Sequence, residues 1–150
     1  MRQLTYAMRF TGQATPANDA GTVLKAATTS PSTTITSTVG DGGLAGAIAP
    51  ATGDDARFTS QVEFTSESAF TETGTITFGE GNHLTFSTVS EGYLGPSADG
   101  SLQHGTVMWR VDGGEGQFDG ASGLITSNFF VDGNGAVTDH QFGVIFVREG

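Results

Sequence analysis

Few side chains in this sequence could do chemistry, and the first of them is Glu72. It shares strand parity with Phe70, Ile76 and Phe78, opposite an unbroken row of Thr71, Thr73, Thr75 and Thr77. If the phenylalanine face lines an interior, the carboxyl sits among apolar groups. Burial then disfavours its charged form and tunes it for acid–base work near neutral pH. A bulge or register shift would turn it outward instead. Tyr6 shares a face with Leu4, Met8 and Phe10 and could offer a hydroxyl to a ligand oxygen, or simply be a core tyrosine with its hydroxyl near the rim. His140 shares a face with Phe142, Val144 and Phe146. It is a proton donor if that face points inward, and otherwise a satisfied core or rim histidine. The expected catalytic set is Glu72, Tyr6 and His140. The expected ligand wall is Trp109, Phe70, Phe78, Phe86 and Met8, with Trp109 placed to stack on a planar or polyene molecule.

Other chemistries lack their residues. There is no cysteine, which excludes disulfides, thiolate catalysis and cysteine metal sites. His83, His104 and His140 are isolated, none at metal-ligand spacing, so no metal is expected. Gly114-x-Gly116-x-x-x-Gly120 has the wrong spacing for a dinucleotide loop and runs into a strand. The stretch from Asp132 to Ala136 lacks the further ligands of a calcium loop, and no Gly-x-Ser-x-Gly elbow occurs. No cofactor is expected.

The elements that must position these groups read almost entirely as strands. Period-two alternation runs over 4–11, 33–39, 58–64, 70–78 and 106–111, with further strands at 44–48, 84–89, 124–131 and 136–147 and a weak one at 22–28. Turn chemistry marks 41–43, 50–55, 79–82 and 132–135, and longer loops are expected at 12–21 and 92–105. No capping box leads into an apolar stripe of helical period. About eight or nine strands joined mainly by short turns predict one antiparallel all-β domain over 1–150. Closure into a barrel would remove its exposed edges, and a barrel of about eight strands can hold one small ligand; a sandwich has the same pattern.

Five glycines at 113, 114, 116, 120 and 123 sit between two such strands, with Phe118 as the single large apolar group among them. This suits a tight, bulged corner with Phe118 plugged into the core. Gly114-Glu115-Gly116-Gln117-Phe118-Asp119-Gly120-Ala121-Ser122-Gly123 resembles the G-x-G-x-F-x-G-x-x-G signature shared by plant allene oxide cyclases and dirigent proteins. The stretch from Asn134 to Val147 looks like the last strand of those families, and the resemblance covers roughly residues 82–147. It implies an eight-stranded antiparallel barrel, lipocalin-like in outline, with an apolar central cavity. It also implies a trimer that guides a reactive intermediate to one cyclised or coupled product. Bacterial spirotetronate cyclases look similar in architecture. The early acidic and asparagine-rich segment that supplies the allene oxide cyclase site has no counterpart in residues 1–40, so no functional residue is carried over.

Composition narrows the partners. Net charge is −10, and the six basic residues, Arg2, Arg9, Lys25, Arg57, Arg110 and Arg148, form no stripe. Nucleic acid and anionic membrane are therefore poor partners. No apolar run approaches the roughly 20 residues of a membrane span, and the first residues read as a strand rather than a signal peptide. The expected address is the cytoplasm. Several strands are apolar on both faces; Asn128 shares one with Leu124 and Phe130, against Ile125, Phe129 and Val131. Arg110 and Met108 lie opposite Trp109. This predicts a homo-oligomer, dimer or trimer. The function expected is an isomerase or cyclase that folds an apolar small molecule in its cavity. The alternatives are a non-catalytic carrier or sensor of an apolar ligand, and a structural barrel filled by its own phenylalanines.

Overall fold

In a computed structural model, residues 1–149 are described. Eleven strands follow in order: β1 (Arg2–Pro16), β2 (Val23–Ser30), β3 (Thr33–Gly40), β4 (Gly43–Pro50), β5 (Ala56–Phe64), β6 (Ala69–Phe78), β7 (His83–Thr88), β8 (Gly92–Pro96), β9 (Leu102–Glu115), β10 (Ser122–Asp132) and β11 (Ala136–Val147). The one helical element among the described residues is a 3-10 turn, Gly116–Phe118. Eight strands close an antiparallel barrel in the order β1, β2, β5, β6, β7, β9, β10, β11 and back to β1. β8 is an extra strand. It pairs with β6 and β9 beyond the end of β7 and covers edges that β7 is too short to reach.

Alternation decides what faces inward. On β6, Phe70, Glu72 and Ile76 are buried while the threonine row lies outside. The middle of the barrel is an aromatic layer: Phe58 stacks on Phe86 at 5.3 Å, and Trp109 lies 4.5 Å from Phe86 and 5.4 Å from Phe58. Offset and tilted rings at these separations add to the burial of their large surfaces. The glycine corner closes one end as expected. Phe118 is buried there, 5.5 Å from Phe78, and the β7–β9 register slips between Thr85 and Phe86, which places a bulge at the corner. Gly116 and Gly120 adopt positive φ, +64° and +66°, which only glycine takes without strain.

Two glycines inside strands set the curvature. A Cβ at Gly12 would run into the backbone of Ala27 and Thr28, and one at Gly74 into Thr59 and the Phe86 ring. Bare backbone at these points lets neighbouring strands approach and a small barrel bend.

Two expectations are corrected here, and the hairpin expected around 41–43 is found outside the barrel. β1 does not stop at Thr11 but continues past Gly12 to Pro16, because Gly12 and Ala14 keep the inward parity of Phe10. The loop expected at 92–105 contains β8, which has a barrel edge to pair with. β3 and β4 pair only with each other, in a hairpin outside the barrel; Val39 and Leu44 near its tip are 85% and 77% exposed.

Candidate functional site

The end of the barrel opposite the corner is built differently. Where the corner half is filled by Tyr6, Phe78, Phe118 and Ile145, several inward positions of β1 and β2 at the other end are small, Gly12, Ala14 and Ala26, with Leu24 the larger exception. This leaves a cavity of about 60 Å³, walled mainly by Phe58, Phe64, Phe70, Trp109 and Phe129. One water needs roughly 10–15 Å³, and a site enclosing a drug-sized ligand runs to several hundred. The space suits a small group or the end of a longer molecule.

Two carboxyls line this apolar space, Glu72 from β6 and Asp139 from β11. They are 7% and 5% exposed. Each is one inward step deeper than its apolar strand neighbour, Phe70 or Val137, and so lies below the rim. Ser60 Oγ donates to Glu72 Oε2 at 2.6 Å, and Trp109 Nε1 donates to Oε1 at 3.2 Å. Pairing between β6 and β7 ends at Thr73, and the Thr88 hydroxyl takes over as a backbone partner. It accepts from the Glu72 amide at 2.6 Å and donates to the Glu72 carbonyl at 2.8 Å. Glu72 is therefore fixed at both backbone and side chain. Asp139 accepts from Ser127 Oγ at 2.5 Å and from Gln141 Nε2 at 2.9 Å, and Tyr6 donates its hydroxyl to Gln141 Oε1 at 2.9 Å.

Burial dominates the acidity of all three groups. It pushes Glu72 from an ordinary 4.5 up to about 8, against the opposing Ser60 hydrogen bond and with the Asp139 charge adding to the rise. Burial also raises Asp139 to about 6, held lower than it would otherwise be by Ser127 and Gln141. Tyr6 is raised well above 10, by burial first and the Asp139 charge second. At pH 7 the one cavity thus holds a neutral carboxylic acid, Glu72, and a carboxylate, Asp139. The Ser60 hydroxyl can accept as well as donate, so it can partner either form of Glu72.

The residues predicted from sequence divide cleanly. Glu72, Phe70 and Trp109 line the cavity. Tyr6 faces inward on the corner side and reaches the site only through Gln141. Phe78, Phe86 and Met8 belong to the packed core, not the cavity wall: Phe78 lies between Tyr6 and Phe118, and Phe86 against Phe58 and Trp109. His140 is corrected outright. Its face of β11 is the outer one, because Asp139, Gln141, Ile145 and Val147 are the buried set. Asn128, also on the outer wall, contacts His104, whose ring stacks on Phe130 at 4.4 Å.

Sequence reasoning missed Asp139, Ser127, Gln141, Ser60 and Thr28. The one hint becomes readable only when the register is known. Gly143 shares the parity of Asp139 and Gln141 and pairs with Tyr6, whose ring fills the space that a Gly143 side chain would take. Such a glycine makes room for the ring across the strand pair. Among the described residues no three His, Cys, Asp or Glu side chains converge to hold a metal, and no helix is long and apolar enough to cross a membrane. No family model, no curated protein and no solved structure matches the chain.

Proposed function

We propose that this protein is a small-molecule-binding barrel that isomerises or cyclises an apolar ligand at the Glu72–Asp139 cavity. The observation that carries the reading is the pair of buried carboxyls with separated acidities, about 8 and about 6, in one apolar pocket. Glu72 is protonated at neutral pH and serves as general acid; Asp139 is ionised and serves as general base. The apolar walls hold the reacting group against them, and placement of this kind can remove several kcal/mol of barrier, with ~7 at the ambitious end. Tyr6 supports Gln141 rather than touching the ligand. Kinship with the allene oxide cyclase and dirigent barrels is part of the same proposal, supported by the eight-strand closure and the buried Phe118 at the glycine corner.

The outer wall favours assembly with a second copy. Met108, Leu124, Phe142 and Phe146 are exposed on the adjacent strands β9, β10 and β11, and such a patch invites a partner surface. Light scattering should give a multiple of 15.4 kDa that falls to the monomer in Phe142→Glu; a monomeric wild type refutes this part.

The catalytic reading is tested by incubating the protein with small apolar epoxides, enones and dienes and following products by mass spectrometry. Turnover lost in both Glu72→Gln and Asp139→Asn, with binding retained, supports it. Equal turnover in wild type and both variants overturns it.

A further inference from the structure

The cavity's chemistry is one-sided. Its polar side chains are two carboxyls and two hydroxyls, those of Glu72, Asp139, Thr28 and Ser127, and no Lys, Arg or His lines it. The hydrogen-bond partners of the two acids, Ser60, Trp109, Ser127 and Gln141, are all uncharged. The ion pair formed by Arg148 and Asp119 lies at the glycine corner, away from the cavity. A buried carboxylate without a cation is costly, and the chain itself supplies none here.

A second, independent feature points the same way. Thr28, 4% exposed on the inner face of β2, lines the cavity, and its Oγ1 has no hydrogen-bond partner. Buried polar groups are nearly always paired, so an unpaired hydroxyl on a residue of the cavity wall leaves one acceptor for a ligand that the wall adjusts to admit. The walls add five aromatic rings, Phe58, Phe64, Phe70, Trp109 and Phe129, and ring faces attract cations once water is excluded.

Acceptor oxygens, an unneutralised carboxylate and aromatic walls are complementary to one kind of group. We propose that the cavity binds a small aliphatic ammonium ion, with Asp139 as its counter-ion and the Thr28 hydroxyl as a second acceptor. The apolar tail lies against the phenylalanine rings, and the ammonium is the part that the cavity encloses. A carboxylate ligand would meet Asp139 as a like charge, and an alcohol would gain a hydrogen bond but no ion pair. This inference rests on the ligand-binding reading of the cavity, not on the catalytic one: Asp139 as counter-ion takes the place of Asp139 as general base.

The test uses three probes of equal length, butylammonium, butan-1-ol and butyrate, titrated at pH 7 against the full chain with Trp109 emission as readout. Butylammonium should saturate at a concentration at least tenfold below either of the others. Asp139→Asn should erase that preference, and Thr28→Val should weaken butylammonium several-fold. Equal or tighter binding of butan-1-ol overturns the ammonium assignment and leaves the cavity reading standing. A preference that persists in both variants also overturns it. No saturable response to any of the three overturns both.

Discussion

Trp109 Nε1 donates to Glu72 Oε1 at 3.2 Å, joining β9 to β6 across the intervening β7 inside the barrel. The chain's single tryptophan is therefore bonded to the group whose protonation defines the site. Indole N–H can only donate, so the bond is stronger to a carboxylate than to a neutral acid. The emission of Trp109 should register both ligand entry and the ionisation of Glu72.

Stability should fall as pH rises. Glu72 and Asp139 have folded-state values raised above those of the unfolded chain, to about 8 and about 6. The folded protein therefore holds protons that the unfolded chain has released. Their contribution is fully present below about pH 4 and lost as pH climbs through 6 and then 8. Between pH 6 and 8 the Glu72 share should lower unfolding free energy by about 1.4 kcal/mol per pH unit. Urea melts at pH 5, 6, 7 and 8 should show this slope, reduced in Glu72→Gln; a profile that rises with pH contradicts the assignment.

Tyr6→Phe should separate support from catalysis. The hydroxyl holds Gln141, which in turn holds Asp139. Its loss should cost about 1 kcal/mol of stability while leaving ligand affinity within a factor of two. A tenfold loss of affinity would return Tyr6 to the site.

The fold was legible where alternation meets a one-sided environment. β6 sets phenylalanines against threonines, and that contrast alone placed Glu72 inside. The corner was legible because five glycines around one phenylalanine admit few backbones. β11 misled because its outer face carries Phe142, Val144 and Phe146 while its inner face carries Asp139 and Gln141. The apolar count favours the wrong side, and the inner polar groups are tolerated only because Ser127 and Tyr6 satisfy them from neighbouring strands. Such cross-strand pairs depend on register, which period two leaves open. The hairpin of β3 and β4 shows the same limit: its alternation matches that of a barrel strand, and only the pairing reveals that it lies outside. The packed half of the barrel was illegible in the same way, since parity places Met8 and Phe86 inside without saying whether they meet a ligand or each other.

Phe118 closes the corner end against Phe78. Phe118→Ala should cost about 3–5 kcal/mol, the usual range for a buried phenylalanine, as measured by denaturant midpoint at unchanged slope. A loss under 1 kcal/mol would mean that the end closes without it.

Ala26→Leu adds bulk to the small side of the cavity. It should abolish binding of butylammonium without lowering the melting temperature by more than a few degrees, since it fills space instead of displacing packed atoms. Unchanged binding would place the ligand elsewhere.

The most direct test of the account is a titration of Trp109 emission from pH 5 to 10 in wild type and Glu72→Gln. A step centred near pH 8 in the wild type, absent from the variant, is the predicted result. A flat wild-type response, or the same step in both proteins, would contradict a neutral Glu72 buried in the cavity.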